Sequence, residues 1–99
     1  MSNHPLAVFS RIDPEFFKHV AGTREFALGE GALPLKYKFL IAMALDAAEG
    51  TSDGVKTLAL AAIKAGATKE EIAETLRIAQ YISGVGTTYT AAEALAEIF

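Results

Sequence analysis

The segment from Ala62 to Glu74, which reads AIKAGATKEEIAE, constrains the fold of this chain more than any other feature. Lys64 and Gly66 suit the end of a helix, because a cation favours the last turn and glycine readily adopts the left-handed conformation that follows it. Thr68 and Glu71, three residues apart, carry the signature of a capping box at the start of the next helix. The segment therefore predicts two helices joined by a tight turn.

Similar signals mark the other helix boundaries. Asp13-Pro14 predicts a helix start, with aspartate as the N-cap and proline in the first turn, and the Gly29-Glu30-Gly31 run ends that helix. Pro34 begins a second helix that runs to about Ala48. Gly50 then breaks the chain, and the next three residues, Thr51, Ser52 and Asp53, all qualify as the cap of a third helix.

Apolar residues at helical spacing predict the inner face of each helix. The second helix is apolar around nearly its whole circumference, which is typical of a central helix covered by its own chain and by partner chains. The other predicted faces are Phe16, Val20, Thr23 and Ala27; Val55, Leu58, Ala59, Ala62 and Ile63; Ile72, Leu76, Ala79 and Ser83; and Tyr89, Ala92, Ala96 and Phe99.

The last two helices meet at a Gly84-Val85-Gly86 bend. Thr90 and Glu93 are a candidate capping box for the last helix. Tyr81 and Tyr89 flank the bend and are candidates to line a pocket, although aromatic residues at such positions are more often part of the core, which is the interpretation we prefer. No alternating pattern is long enough for a strand. The sequence predicts an all-α fold of about five helices in a single domain, residues 1–99, with residues 1–12 as an N-terminal arm.

The composition favours self-association. Hydrophobic residues make up 52% of only 99 residues, which is more apolar surface than a small monomer readily buries. We predict a homo-oligomer. The alternative is that the many alanines raise the hydrophobic percentage without creating a surface that promotes association.

Charge and hydropathy argue against several classes of partner. The net charge is −3 and the cations are scattered, so no basic stripe is present to bind nucleic acid. The longest apolar run, Phe39 to Leu45, is too short to span a bilayer. The N-terminus has no basic segment followed by an apolar one, so we predict a cytoplasmic protein without a secretory signal.

The sequence contains no cysteine, which rules out disulfide, thiol peroxidase and thiolate–metal chemistry in this chain. The two histidines, His4 and His19, show no spacing typical of a metal site. We therefore predict neither a metal nor a cofactor.

The junction at residues 62–74 resembles the H-x7-G-x-(S/T)-x-E-E-I-x-E segment of the carboxymuconolactone decarboxylase / alkylhydroperoxidase D (AhpD) family. The resemblance extends over about two thirds of the chain, from Leu33 to Phe99. It implies an AhpD-like helical fold and assembly as a homotrimer or homohexamer.

The same resemblance implies where the family's reactive groups would lie. Redox-active members carry a glutamate twelve residues before the first cysteine of a C-x-x-C motif, and a histidine four residues after the second. Counting back from Gly66, the glutamate position is Phe39, the cysteine positions are Thr51 and Gly54, and the histidine position is Leu58. These residues supply neither a thiol nor a proton relay. The resemblance further implies that the lactone decarboxylases, which lack the cysteines, keep the histidine. The leucine at position 58 therefore also argues against lactone decarboxylase activity.

Asp46 and Glu49 are the remaining candidates for catalysis. Asp46 lies seven residues after Phe39 and so shares its helix face. Both carboxylates lie in the last turns of a helix, where negative charge is mildly unfavourable, and such a departure from local rules sometimes marks a functional site. The simpler interpretation, which we prefer, is that both face solvent or pair with Lys56 or Lys38.

Three functional hypotheses follow. The first is a family member without the thiol site that acts as a non-redox binding or structural variant. The alternative is a cysteine-independent, lyase-like enzyme that applies acid–base chemistry, through Asp46 or Glu49, to a small organic acid or lactone. A third is a subunit that lends its apolar helix faces to a different chain.

Overall fold

The structure, a computed structural model, describes residues 5–99, and this part of the chain is helical with no strand. The all-α prediction is confirmed, with six helices where about five were predicted. Residues 1–4, which include His4 and the start of the predicted arm, lie outside the described residues. The helices are α1 (Ala7–Ile12), α2 (Pro14–Leu28), α3 (Leu35–Ala48), α4 (Ser52–Lys64), α5 (Lys69–Ser83) and α6 (Val85–Leu95).

The chain packs as two units, and the first extends to Glu30. The Asp13 carboxylate accepts a hydrogen bond from the Phe16 N–H at 3.1 Å, so the predicted N-cap of α2 is confirmed. The rings of Phe9 and Phe16 meet edge to face with centroids 5.2 Å apart, which packs α1 on α2. The predicted arm thus contains a helix, and no described residue of either helix is buried.

The second unit, Gly31–Phe99, contains the core. Helix α3 packs against α4, α5 and α6, as its apolar sequence predicts for a central helix. The largest fully buried side chains are Met43, Ile72 and Val55. Small residues complete this core: Ala47, Ala59, Ala62, Ala67, Ala91 and Ala94.

Local signals at the α4–α5 junction are confirmed in detail. Gly66 adopts φ +106°, and the Ala67 and Gly66 N–H groups donate to the carbonyls of Ala62 and Ile63, at 2.8 and 3.0 Å. This pair of bonds is a Schellman motif, which ends α4. The Thr68 hydroxyl accepts from the Glu71 N–H while the Glu71 carboxylate accepts from the Thr68 N–H, so the predicted capping box is present.

Helix α6 differs from its prediction in both start and orientation. It begins immediately after Gly84, which has φ +90°, so Val85 and Gly86 belong to the helix. Thr90 forms no capping box, because its hydroxyl instead donates to the Gly86 carbonyl one turn back. These residues lie inside a helix that has already begun.

The buried face of α6 consists of small side chains, Thr87, Ala91 and Ala94, and is not the predicted face that contains Tyr89. The Thr87 hydroxyl is buried without a hydrogen-bond partner among the described residues. Tyr89 and Phe99 are 75% and 62% exposed, and Tyr81 is also exposed, so placing the tyrosines in the core was wrong. Periodicity could not choose between two apolar faces, and packing selected the face that lets helices approach closely.

No helix in the described part of the chain is both long enough and apolar enough to cross a membrane.

Candidate functional site

The turn between α3 and α4 brings three of the predicted site residues together. Gly50, with φ +82°, ends α3, and the Thr51 N–H donates to the Asp46 carbonyl at 2.9 Å in a second Schellman motif. Thr51 then occupies the N-cap of α4, but its side chain caps no N–H group. Of the three candidate caps, Thr51, Ser52 and Asp53, the structure therefore places Thr51 at the N-cap, but without a capping hydrogen bond from its side chain.

Gly54, in the first turn of α4, lies directly beneath the Asp46 side chain. A Cβ atom at position 54 would lie 2.8 Å from the Asp46 Cγ and closer still to a carboxylate oxygen. It would also lie 3.3 Å from the Thr51 Cγ2. The Asp46 carboxylate thus occupies the space that a side chain at position 54 would need.

Phe39 and Leu58 extend this line of residues towards the core. Both are half-buried, and both pack against the buried cluster. Asp46, Thr51 and Gly54 meet where α3 contacts α4, and we call this contact the α3–α4 seam. Phe39 lies two helical turns before Asp46 on α3, and Leu58 lies one turn after Gly54 on α4, so each shares a helix face with a seam residue.

The two candidate carboxylates have different surroundings. Asp46 is half-buried, whereas Glu49 is exposed at the C-cap of α3. Neither forms an ion pair with a described residue, and Lys56 instead pairs with Glu97, with Nζ 3.6 Å from Oε2. The described residues also contain no group of three histidine or carboxylate side chains placed to hold a metal ion.

A cavity lies on the other side of α3. It is an open groove of about 600 Å³ between α3 and α5, which we call the α3–α5 groove. Its walls are largely apolar, and none of the predicted site residues lines it. The lining residues are Tyr37, Leu40, Ile41, Ala44, Leu45 and Ala48 from α3, and Glu71, Glu74, Thr75, Ile78, Ala79, Ile82 and Ser83 from α5.

One end of the groove is polar. The Glu71 carboxylate accepts from the Thr68 N–H at 2.9 Å and pairs with the Lys36 ammonium, also at 2.9 Å. The Thr68 hydrogen bond, followed by the Lys36 contact, lowers the pKa of Glu71, and the hydrogen bond to Glu71 raises the pKa of Lys36. Glu71 is therefore already neutralised, and Glu74, exposed on the next turn, adds a second carboxylate with no partner among the described residues.

Comparison with known proteins identifies the architecture. The sequence model of the carboxymuconolactone decarboxylase family matches residues 14–97, which covers α2 to α6. The chain belongs to the carboxymuconolactone decarboxylase family. The resemblance found at the Gly66 turn is therefore confirmed.

The chain is also similar to a solved structure, apo-lpg0406, a carboxymuconolactone decarboxylase family protein from Legionella pneumophila. The two are 37% identical, with a TM-score of 0.85 over 92% of this chain and 81% of that chain. No curated protein matches the chain.

The sequence hypotheses did not include the groove. Its walls follow from the all-round apolar character of α3 and from Ile78 and Ile82, which lie beside the predicted inner face of α5. Sequence periodicity assigned α3 to the core but did not show that a gap separates it from α5.

Proposed function

We propose that this carboxymuconolactone decarboxylase family protein is a non-redox binding protein, and that the α3–α5 groove holds its ligand. The absence of cysteine supports the non-redox part, together with the unreactive side chains at Phe39, Thr51, Gly54 and Leu58. The groove supports the binding part and is the observation that carries the proposal.

The size and chemistry of the groove suit a small molecule. Its volume of about 600 Å³ falls within the ~300–1,000 Å³ typical of ligand pockets. Ile41 and Leu45 of α3 and Ile78 and Ile82 of α5 line its apolar part, while the charged side chains, Glu71 and Glu74, lie on the first two turns of α5. This division favours a ligand with an apolar body and a single polar end.

The charge at the polar end narrows the class of ligand. Lys36 neutralises Glu71, so the exposed Glu74 carboxylate leaves that end with a net negative charge. A ligand with a neutral or cationic polar group is favoured there over an organic acid, because two like charges would repel each other.

A neutral apolar dye, N-phenyl-1-naphthylamine, tests the groove. We expect saturable binding to the wild-type protein, and at least tenfold weaker binding to Ala44→Phe, because that ring fills the groove. The matched control is Ala73→Phe, which adds the same ring to an exposed position of α5 outside the groove. Equal affinity of the wild type and Ala44→Phe would reject the groove as the binding site.

A redox assay tests the other half of the proposal. We expect peroxide consumption in the presence of dithiothreitol to be no faster with the purified protein than in buffer. Turnover above the buffer rate would overturn the non-redox assignment.

The acid–base alternative depends on Asp46, which is half-buried and accepts no hydrogen bond from a described residue. A small organic acid or lactone would then bind at the α3–α4 seam, beside the N-terminus of α4. This alternative requires CO2 release from carboxymuconolactone that Asp46→Asn abolishes. The binding proposal expects no release by either protein.

A further inference from the structure

The charged side chains that line the α3–α5 groove are both carboxylates. Glu71 and Glu74 lie on the first two turns of α5, and no lysine, arginine or histidine is among the described residues that line the groove. Lys36, from the first turn of α3, pairs with the Glu71 carboxylate at 2.9 Å. One uncompensated negative charge therefore remains at this end of the groove, on Glu74.

The Glu74 carboxylate has no counter-charge among the described residues. Arg77 lies one turn later on α5 but forms no ion pair with it. Glu70 and Glu71 lie one turn earlier, so they place like charge beside it. Because the Glu74 side chain is also exposed, a cation brought by a ligand can reach it.

The cation beside the groove is already engaged. Lys36 is held by Glu71, and its Nζ atom also lies 5.2 Å from the centroid of the Tyr37 ring. A carboxylate ligand could take Lys36 only by leaving Glu71 unpaired. The dipole of α5 attracts anions only within its first turn, where Glu70 and Glu71 already lie. The groove therefore disfavours an anionic ligand.

The hydrogen-bonding groups at this end favour a ligand that donates. Carboxylates only accept hydrogen bonds, and the Thr75 hydroxyl donates to the Glu71 carbonyl at 2.8 Å, which leaves its lone pairs for a ligand. A primary ammonium group supplies three N–H donors. A quaternary ammonium group is favoured by cages of several aromatic rings, whereas Tyr37 is the one aromatic side chain among the described lining residues, and Lys36 already lies over it.

The apolar wall extends away from Glu74 along α5. Ile78 and Ile82 follow at intervals of four residues, so Ile82 lies about 12 Å further along the helix than Glu74. Ile41 and Leu45 line the groove from α3. An extended chain advances about 1.2 Å per bond, so roughly eight to ten carbon atoms span this distance.

We propose that the α3–α5 groove binds a primary alkylamine, with its ammonium group at Glu74 and its alkyl chain along Ile78 and Ile82. This inference rests on the proposed function, because it assigns a ligand class to the same groove. Charge complementarity fixes the orientation, since the groove pairs one open carboxylate with an uncharged wall.

Three ligands that share an octyl chain test the assignment: octylamine, octanol and octanoate, titrated calorimetrically into the wild-type protein at pH 7. Octylamine should bind about fivefold more tightly than octanol, which is the upper range for an ion pair in contact with solvent. Octanoate should bind more weakly than octanol, because the attraction at Glu74 becomes a repulsion.

Substitution of Glu74 locates the ammonium group. Glu74→Gln should lower the affinity for octylamine about fivefold and leave that for octanol unchanged. Glu74→Lys should lower the ratio of octylamine to octanoate affinity at least about tenfold. Glu93→Gln and Glu93→Lys make the same changes in net charge at an exposed position of α6 outside the groove, and should keep the wild-type affinities.

The possible failures of the two proposals are distinguishable. Equal affinity of the wild-type protein for the three octyl ligands, or tighter binding of octanoate, would overturn the amine assignment, and so would an unchanged octylamine affinity in Glu74→Gln. The groove would still be the binding site if Ala44→Phe weakened binding of the neutral dye. A wild-type protein that binds neither the dye nor any octyl ligand would overturn both proposals.

Discussion

Helix α3 meets its neighbours in two different ways. At the α3–α4 seam the two helices are in direct contact, and the Asp46 side chain lies directly over the backbone of Gly54. At the α3–α5 groove a cavity of about 600 Å³ lies between the two helices and is open to solvent. Helix α3 is therefore closely packed on the side that faces α4 and borders a cavity on the side that faces α5.

The difference follows from the size of the side chains on each side. The buried face of α4 consists of Val55, Ala59 and Ala62, and small residues of this kind let two helices approach closely. The groove is instead bordered by large branched residues, such as Ile41 and Ile78, which are 48% and 65% exposed. The seam carries the positions that the sequence resemblance assigns to the family's reactive groups, whereas the open cavity lies in the groove.

The largest expected effect distinguishes the buried face of α3 from its groove face. Met43 is fully buried and Leu45 is 62% exposed, although both lie on α3. Met43→Ala should lower the free energy of unfolding by about 2–5 kcal/mol, because it removes buried methylene groups and leaves a cavity. Leu45→Ala should change the free energy of unfolding by less than about 0.5 kcal/mol. Urea denaturation followed by circular dichroism measures both.

A similar decrease in the free energy of unfolding for Met43→Ala and Leu45→Ala would contradict the distinction between a buried face and an open face of α3. It would mean that the groove face of α3 is covered in solution, as it would be by another chain.

The sequence predicted the helix ends because their causes are local. Asp13, Gly66, Thr68 and Glu71 act on the backbone within a few residues of their own positions, so their roles can be read from spacing alone. Helix α1 was missed because no side chain caps its N-terminus, leaving no signal to read.

The features that depend on distant residues were not predictable. The inward face of α6 depends on which of two apolar faces fits α3, α4 and α5 more closely, and the groove depends on the separation of α3 and α5. The sequence singled out Asp46 and Gly54 separately. Their mutual contact depends on how the α3–α4 turn folds, and only the structure shows it.

A smaller effect tests the closed seam through Gly54. This residue is not in the left-handed region, so alanine there should gain about 0.5–1 kcal/mol of helix stability where space allows. With Asp46 present, its carboxylate must move to make room for the methyl group of Gly54→Ala. The gain in stability from this substitution should therefore be smaller, or become a loss. In an Asp46→Ala background most of this gain should return, because only the 3.3 Å approach to the Thr51 Cγ2 then remains.

Gly22 provides the matched control for this cycle. It also lies within a helix, outside the left-handed region, and a Cβ atom there would meet nothing within 4 Å. Gly22→Ala should give the same gain with either residue at position 46. A coupling below about 0.5 kcal/mol between positions 46 and 54 would show that the contact carries no energy.

The smallest expected effect concerns the polar end of the groove and depends on pH. The pKa of Glu71 is lowered in the folded protein, first by the hydrogen bond from Thr68 and then by Lys36. A carboxyl with a lowered pKa stabilises the fold above its unfolded pKa of about 4.3, and this contribution disappears as the pH falls through the folded value. Lys36, whose pKa is raised, keeps its charge throughout this acid range.

Glu71→Gln isolates this contribution, because glutamine can still accept the Thr68 hydrogen bond in a capping box but cannot pair with Lys36 as an anion. The wild type should unfold at a higher urea concentration than Glu71→Gln at pH 7, and the difference should shrink as the pH falls below about 4. The other carboxylates titrate in both proteins and cancel in the comparison. A difference that stays constant from pH 7 to pH 3 would mean that the Glu71 charge does not stabilise the groove end of α5, and that the uncharged half of the capping box acts alone.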